Sequence, residues 1–192
     1  MNYRPGLRVA FCGAGGTGKT TTAKFIAEQL GLPTFKSASR AVYEARDLTE
    51  DLVLKMTDQE KMLLQFDIFA AKESIDKNPS YVTDRTILDH YAYCLAYCGA
   101  FMDDNRFAEF EDLTRTLMRG TYTHIFYFPW GYWTANSDGV RQDRHSWQSM
   151  IDAIITGYII RWNLPVIEVL QTDGQDARNK FVLDKLCNSA EA

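Results

Sequence analysis

One octapeptide constrains this chain more than any other feature. Gly13-Ala14-Gly15-Gly16-Thr17-Gly18-Lys19-Thr20 fits the pattern G-x-x-x-x-G-K-[ST]. It follows an apolar run, Leu7–Cys12, that reads as a buried strand. Helical spacing comes after it: Ala23, Ile26, Ala27 and Leu30 fall at i, i+3, i+4 and i+7, and Gly31 supplies a stop. Phosphate chemistry needs that placement. Glycines let successive backbone N–H groups curl around an anion without Cβ clashes, and a helix N-terminus adds partial positive charge. Lys19 has the reach to meet β- and γ-phosphates, and the Thr20 hydroxyl suits a Mg²⁺ coordination position. Gly13 through Thr20, with Thr21 just inside the helix, form a candidate site for a nucleoside triphosphate.

The rest of the chain alternates short β-like runs with longer helical ones. Pro33–Lys36 reads as extended and is followed by broken helix through Met56. Thr57-Asp-Gln-Glu60 is a capping-box pattern opening a helix to about Lys77. Ser80–Thr83 reads as strand, Thr86–Cys98 and Asp103–Arg119 as helices stopped by Gly99 and Gly120, and Tyr122–Phe128 as the clearest strand. Arg141–Asn163 is mostly helical, Pro165–Leu170 the last strand and Thr172–Cys187 the last helix. Strands separated by helices imply right-handed crossovers, hence an α/β fold with five parallel strands covered on both faces.

Composition agrees with one compact unit spanning residues 1–192. With 46% hydrophobic residues and a net charge of −4, disorder is excluded as the main state. The longest apolar runs, Ala92–Met102 and Ile151–Ile160, are too short or too interrupted to span a bilayer, and Met1–Gly6 does not resemble a secretory signal. A cytoplasmic protein without a membrane partner is expected. Cys12, Cys94, Cys98 and Cys187 are too few and scattered for a disulfide framework. Cys94 and Cys98 share a helical face, where buried thiols are the first expectation and a metal or redox pair the second.

Two further clusters carry chemistry. Asp84-Arg85-Thr86 ends the Ser80–Thr83 strand. A strand end beside the glycine loop places a carboxylate near Mg²⁺ and the γ-phosphate, where it is also able to take a proton from a hydroxyl. Asp138-Gly-Val-Arg141-Gln-Asp143-Arg144 puts two arginines on one side of a helix start, within a segment, 134–148, suited to closing over a transferring phosphoryl group. No N-K-x-D follows Tyr122–Phe128, as a guanine-reading GTPase would require, and no apolar run ends in Asp-Glu, as in motor ATPases.

At these residues the chain resembles the nucleoside and nucleotide kinases of the P-loop fold. Asp84-Arg85-Thr86 is similar to the Asp-Arg-Tyr motif of thymidylate kinases and the Glu-Arg-Ser motif of deoxynucleoside kinases. Gln65, with Phe66 and Phe69, is similar to the base-reading glutamine and aromatics of deoxynucleoside kinases. Ser137–Leu170 resembles the ribosylnicotinamide kinase domain of the bifunctional NAD-synthesis regulator, and the whole resembles an AAA-like kinase group of bacteria and their phages. The resemblance implies a three-layer P-loop NTPase fold with ATP and Mg²⁺ as cofactors. It also implies Lys19, Asp84, Arg85, Arg141 and Arg144 as catalytic groups, Thr20 and Asp84 on the metal, and Arg40, Gln65, Phe66, Phe69 and Arg85 at the acceptor.

One departure bears on the acceptor. Those kinases carry an acidic residue just after the second strand, whereas Phe35-Lys36-Ser37-Ala38-Ser39-Arg40 has no carboxylate before Glu44. Either Asp84 serves alone as base or Glu44 reaches in, and Arg40 is an alternative holder of a substrate phosphate. Three acceptors stay open: a free nucleoside such as ribosylnicotinamide, a nucleotide, and 5-hydroxymethyluracil within phage DNA, for which Lys36, Arg40, Arg46, Arg141 and Arg144 would form a basic rim. A non-catalytic nucleotide switch or ATPase subunit is the reading from another class. A homodimer is expected as an option from the related kinases.

Overall fold

The computed structural model describes residues 6–132, 145–171 and 174–188. In chain order the elements are β1 (Arg8–Cys12), α1 (Lys19–Leu30), β2 (Thr34–Phe35), α2 (Ala38–Ala45), α3 (Glu50–Lys55), α4 (Asp58–Asp76) and β3 (Tyr81–Asp84). Then come α5 (Ile87–Cys98), α6 (Asp104–Thr121), β4 (His124–Tyr127), α7 (His145–Arg161), β5 (Val166–Glu168) and α8 (Gln175–Asn188). The five strands form one sheet in the order β2-β3-β1-β4-β5, with every pairing parallel. This is the sheet that the alternation of apolar runs implies.

Alternation along β1 explains how the layers are held. Ala10 and Cys12 join a core with Phe69, Tyr91, Phe110 and Ile155, from α4 to α7. Val9 and Phe11 face the other way and join Ile26 of α1 and Val182 of α8. A strand buried on both faces must read as a continuous apolar run, as this one does. Phe11 stacks on Phe126 at 5.7 Å between ring centres and meets Phe128 edge-on at 5.6 Å. Truncating so buried an aromatic costs about 3–5 kcal/mol.

Local signals set most helix ends. Thr57 caps α4 and Thr86 caps α5, each in a reciprocal capping box, with Glu60 and Asp89 as the returning acids. Gly31 ends α1 at φ 63°, and the Leu32 amide returns to the Ala27 carbonyl. The strands run one or two residues shorter at most ends than expected, β4 for example spanning His124–Tyr127 within Tyr122–Phe128, and three other ends differ for a physical reason. α1 starts at Lys19, directly out of the glycine loop, ahead of the apolar spacing that begins at Ala23. β3 includes Asp84, because its ladder with β1 continues to Phe11. α6 passes through Gly120 to Thr121: a glycine weakens a helix interior by roughly 1 kcal/mol but stops it only where the backbone turns left-handed.

One buried ionic network lies between α4 and the sheet. Lys72, 1% exposed, pairs with Asp76 and lies 3.3 Å from the Thr83 hydroxyl. Asp76 also accepts from the hydroxyls of Tyr81 at 2.8 Å and Tyr122 at 2.6 Å. Burial lowers the Lys72 ammonium below its usual range, and Asp76 works against that shift.

Candidate active site

The glycine loop sits between the C-terminal end of β1 and the start of α1. Gly13, Gly16 and Gly18 adopt φ values of 136°, 80° and 88°. At Gly13 and Gly18 space also demands glycine. A Cβ at Gly13 would lie 2.4 Å from the Phe128 carbonyl oxygen, and one at Gly18 would lie 2.0 Å from an Arg178 guanidinium nitrogen.

α1 begins without the devices used at α4 and α5. Its N-cap is Gly18, no side chain caps it, and its first turn holds no acid. The first N–H groups and the positive end of the helix dipole are left to whatever occupies the loop, and an anion suits them. Lys19 is buried, with its ammonium on the Ala14 carbonyl and 2.9 Å from the Thr17 hydroxyl. Burial lowers its pKa to about 8, against the pull of Asp84.

Asp84 meets this loop from the neighbouring strand. Its register partner is Phe11, one residue from the loop's strand end, and the Thr20 hydroxyl donates to its carboxylate at 2.5 Å. The next residue, Arg85, has φ 88° although it is not glycine. Its amide donates to the Phe11 carbonyl at 3.0 Å, so the unusual conformation is locked by the central strand. The Arg85 guanidinium lies 4.6 Å above the Tyr93 ring.

Three side chains that sequence reasoning missed hold the loop. Asp89, fully buried on α5, accepts from the Gly13 amide at 2.9 Å while closing the Thr86 capping box. Gln148, buried on α7, accepts from the Gly15 amide at 2.7 Å. Arg178 of α8 donates to the Thr17 carbonyl at 2.9 Å. For Asp89 the spacing Thr86-x-x-Asp89 was a usable signal. Gln148 and Arg178 come from remote helices and carry no local signature.

The other expected residues divide. Gln65 is buried on α4. Phe69 packs in the main core with its ring 4.6 Å from that of Phe110, and the partly buried Phe66 meets the same ring edge-on at 5.7 Å. Arg40 is half-buried on α2, its amide capped by Ser37. Glu44 forms an exposed ion pair with Lys36 at 2.8 Å, and Arg46 pairs with Asp67. Arg141, Arg144 and residues 134–144 of the expected closing segment lie outside the described residues; 145–148 are the first turn of α7. Thr21 is exposed on α1.

Among the described residues no cluster of three or more His, Cys, Asp or Glu side chains is arranged for a metal. The Thr20 hydroxyl and the Asp84 carboxylate are two oxygen groups that meet at the start of α1. That set fits Mg²⁺, which takes one or two protein oxygens and completes its shell with phosphate and water. Cys94 and Cys98 are both buried, as the first expectation had it. No helix among the described residues is long and apolar enough to cross a membrane.

Comparison with solved structures shows where this architecture recurs. A deoxyadenosine kinase from M. mycoides with bound dATP superposes with a TM-score of 0.65 at 15% identity, over 94% of this chain and 98% of that one. The NadR protein in complex with NR gives a TM-score of 0.66 at 17% identity, over 94% of this chain and half of that one. A thymidylate kinase from Ehrlichia chaffeensis gives 0.56 at 15% identity, over 94% of this chain and 98% of that one. No curated protein sequence matches the chain. A family model described as an AAA domain matches residues 8–177, most of the length. The chain therefore belongs to that AAA domain family and has the fold of the P-loop nucleoside and nucleotide kinases.

Proposed function

We propose that the protein is an ATP-dependent phosphotransferase acting on a nucleoside- or nucleotide-type acceptor, with residues 1–192 as its kinase domain. The observation that carries this is the Asp84 carboxylate hydrogen-bonded to Thr20 at the start of an uncapped helix, with Arg85 beside it. That arrangement supports reading the Asp84 carboxylate as a proton acceptor and metal-binding group beside a phosphate cradle.

The chain's residues then divide the work. The amides of Gly16–Thr21 and the Lys19 ammonium hold the polyphosphate of ATP, while those of Gly13 and Gly15 are taken by Asp89 and Gln148. Thr20 and Asp84 would hold Mg²⁺, which, when bound, neutralises charge on the terminal phosphates. Arg85, with Arg141 and Arg144 from the closing segment 134–148, stabilises the charge of the transferring group. As the acceptor oxygen bonds to the γ-phosphorus, its proton passes to Asp84 and the bond from phosphorus to the ADP oxygen breaks. Losing one such preorganised donor costs on the order of 3 kcal/mol of transition-state stabilisation. Gln65 and Phe66 line the acceptor side, with Phe69 as packing support and Arg40 as the group for an acceptor phosphate. Glu44, already paired with Lys36, is the weaker candidate for the base.

The test is ATP consumption across nucleosides, ribosylnicotinamide, deoxynucleoside monophosphates and 5-hydroxymethyluracil-containing DNA. Acceptor-stimulated turnover is expected with one of these classes, and its absence throughout would favour a nucleotide switch instead. Lys19→Ala should abolish turnover. Asp84→Asn should bind ATP but transfer at least a hundredfold more slowly, in line with the cost of losing a catalytic base (about 10²–10⁴). Full activity in that variant would remove Asp84 from the base role.

A further inference from the structure

The Ala14–Gly15 peptide unit is gripped at both ends. Its carbonyl takes the Lys19 ammonium and the Thr17 hydroxyl, at 3.2 Å for the latter. Its N–H donates to Gln148 Oε1 at 2.7 Å, from a helix remote in sequence. These two grips differ in what nucleotide binding does to them. Phosphate competes with the Ala14 carbonyl for the Lys19 ammonium and weakens that grip, whereas the Gln148 carbonyl is not drawn to an anion and stays.

The same Gln148 oxygen reaches further. The Tyr93 hydroxyl donates to it at 3.3 Å, and Arg85 lies over the Tyr93 ring with a guanidinium nitrogen 3.4 Å from the hydroxyl. One buried glutamine oxygen thereby joins the phosphate loop to the arginine that follows Asp84. Gln148 also stands in the first turn of α7, four residues after Arg144 in sequence.

We propose that Gln148 is a positioning residue for nucleotide binding: its side-chain oxygen keeps the Ala14–Gly15 peptide in one orientation when Lys19 turns to phosphate and, through Tyr93, ties that orientation to Arg85. The inference rests on the nucleotide-binding half of the function proposed above, and it needs no knowledge of the acceptor. A buried amide left without its acceptor costs enough to turn or loosen the peptide plane. The loop's anion cradle and the placement of Arg85 would then loosen together.

The experiment uses the full chain, MgAMP-PNP as the probe, and two readouts. Exchange of the Gly15 amide in nucleotide-free protein, followed by NMR, reads the grip itself. Gln148→Met keeps side-chain length but removes the oxygen, so protection of Gly15 should fall at least tenfold and MgAMP-PNP affinity about tenfold, the worth of one buried hydrogen bond. Gln148→Glu restores an oxygen at the same reach and should restore Gly15 protection, which a packing role alone would not do. Tyr93→Phe cuts the chain beyond the loop and is combined with Arg85→Lys. Their effects on MgAMP-PNP affinity should be less than multiplicative. Unchanged protection and affinity in Gln148→Met would overturn the proposal, as would fully multiplicative effects of the Tyr93 and Arg85 changes. If the wild type binds MgAMP-PNP and Gln148→Met loses it while no acceptor is phosphorylated, the kinase reading fails and this one stands.

Discussion

Lys19 shows how much a single side chain was readable in advance and where reading stopped. Its pairing with a glycine loop is written in eight residues, so the phosphate-binding role proposed for it follows from spacing. Its protonation does not, because that depends on burial by elements far along the chain. With its pKa lowered to about 8, the free protein's ammonium is half discharged at that pH. Nucleotide binding should recharge it, so MgADP affinity is expected to weaken as pH rises above 8. Titration calorimetry at pH 8.5 in buffers of different ionisation heat should register proton uptake on binding; none would mean the lysine is already charged. For the empty protein, the unfolded chain keeps this proton up to the ordinary lysine value while the folded one releases it near 8. The unfolded state therefore binds more protons in that window, and Lys19's contribution to stability rises with pH across it. Gly18 gives a second residue-level prediction. Gly18→Ala combines a left-handed backbone with a Cβ driven into Arg178, and should lower the urea midpoint while weakening MgADP at least tenfold, a strain of roughly 1–3 kcal/mol.

Elements were legible wherever a cap, a glycine or an alternating apolar run marked them. Thr57 and Thr86 open helices as their spacing implies, and Gly31 closes one. What the spacing concealed is that one capping acid has a second occupation. Asp89 finishes the α5 cap and also accepts from the Gly13 amide, so one side chain ties α5 to the loop. Asp89→Ala strands three buried donors at once, and is expected to destabilise the fold by about 3 kcal/mol. Equilibrium urea unfolding measures it; a loss below about 1 kcal/mol would mean that water replaces the carboxylate. The aromatic helix face was harder to read. Phe66 and Phe69 resemble the base-reading aromatics of deoxynucleoside kinases, yet both meet Phe110 of α6, and helical periodicity does not distinguish a ring that packs from a ring that waits for a ligand.

At the scale of the whole molecule, the parallel sheet followed from alternating strands and helices, but the strand order did not. The order β2-β3-β1-β4-β5 sets β3 beside β1, which brings Asp84 next to the loop, while Gln148 of α7 and Arg178 of α8 reach the loop as well. Because Asp89, Gln148 and Arg178 hold the loop from three helices, occupancy should be felt globally. At a hundredfold excess over Kd, MgADP is expected to stabilise the fold by about 2.7 kcal/mol. A thermal melt that rises with MgADP in the wild type and stays put in Lys19→Ala is the expected pair of results; a flat wild-type melt would count against nucleotide binding.

The central place of β1 also has a consequence for synthesis. Of the five strands of this sheet β1 is translated first, yet its two sheet partners, β3 and β4, are made much later, and β4 only beyond α6. Val9–Cys12, with no exposed surface in the finished protein, must therefore stay sheltered while the middle of the chain is translated. Such long-range closure is slow and exposes apolar surface meanwhile. A nascent chain halted before β4 should bind holdase chaperones strongly, and release should coincide with the emergence of His124–Tyr127 from the exit tunnel.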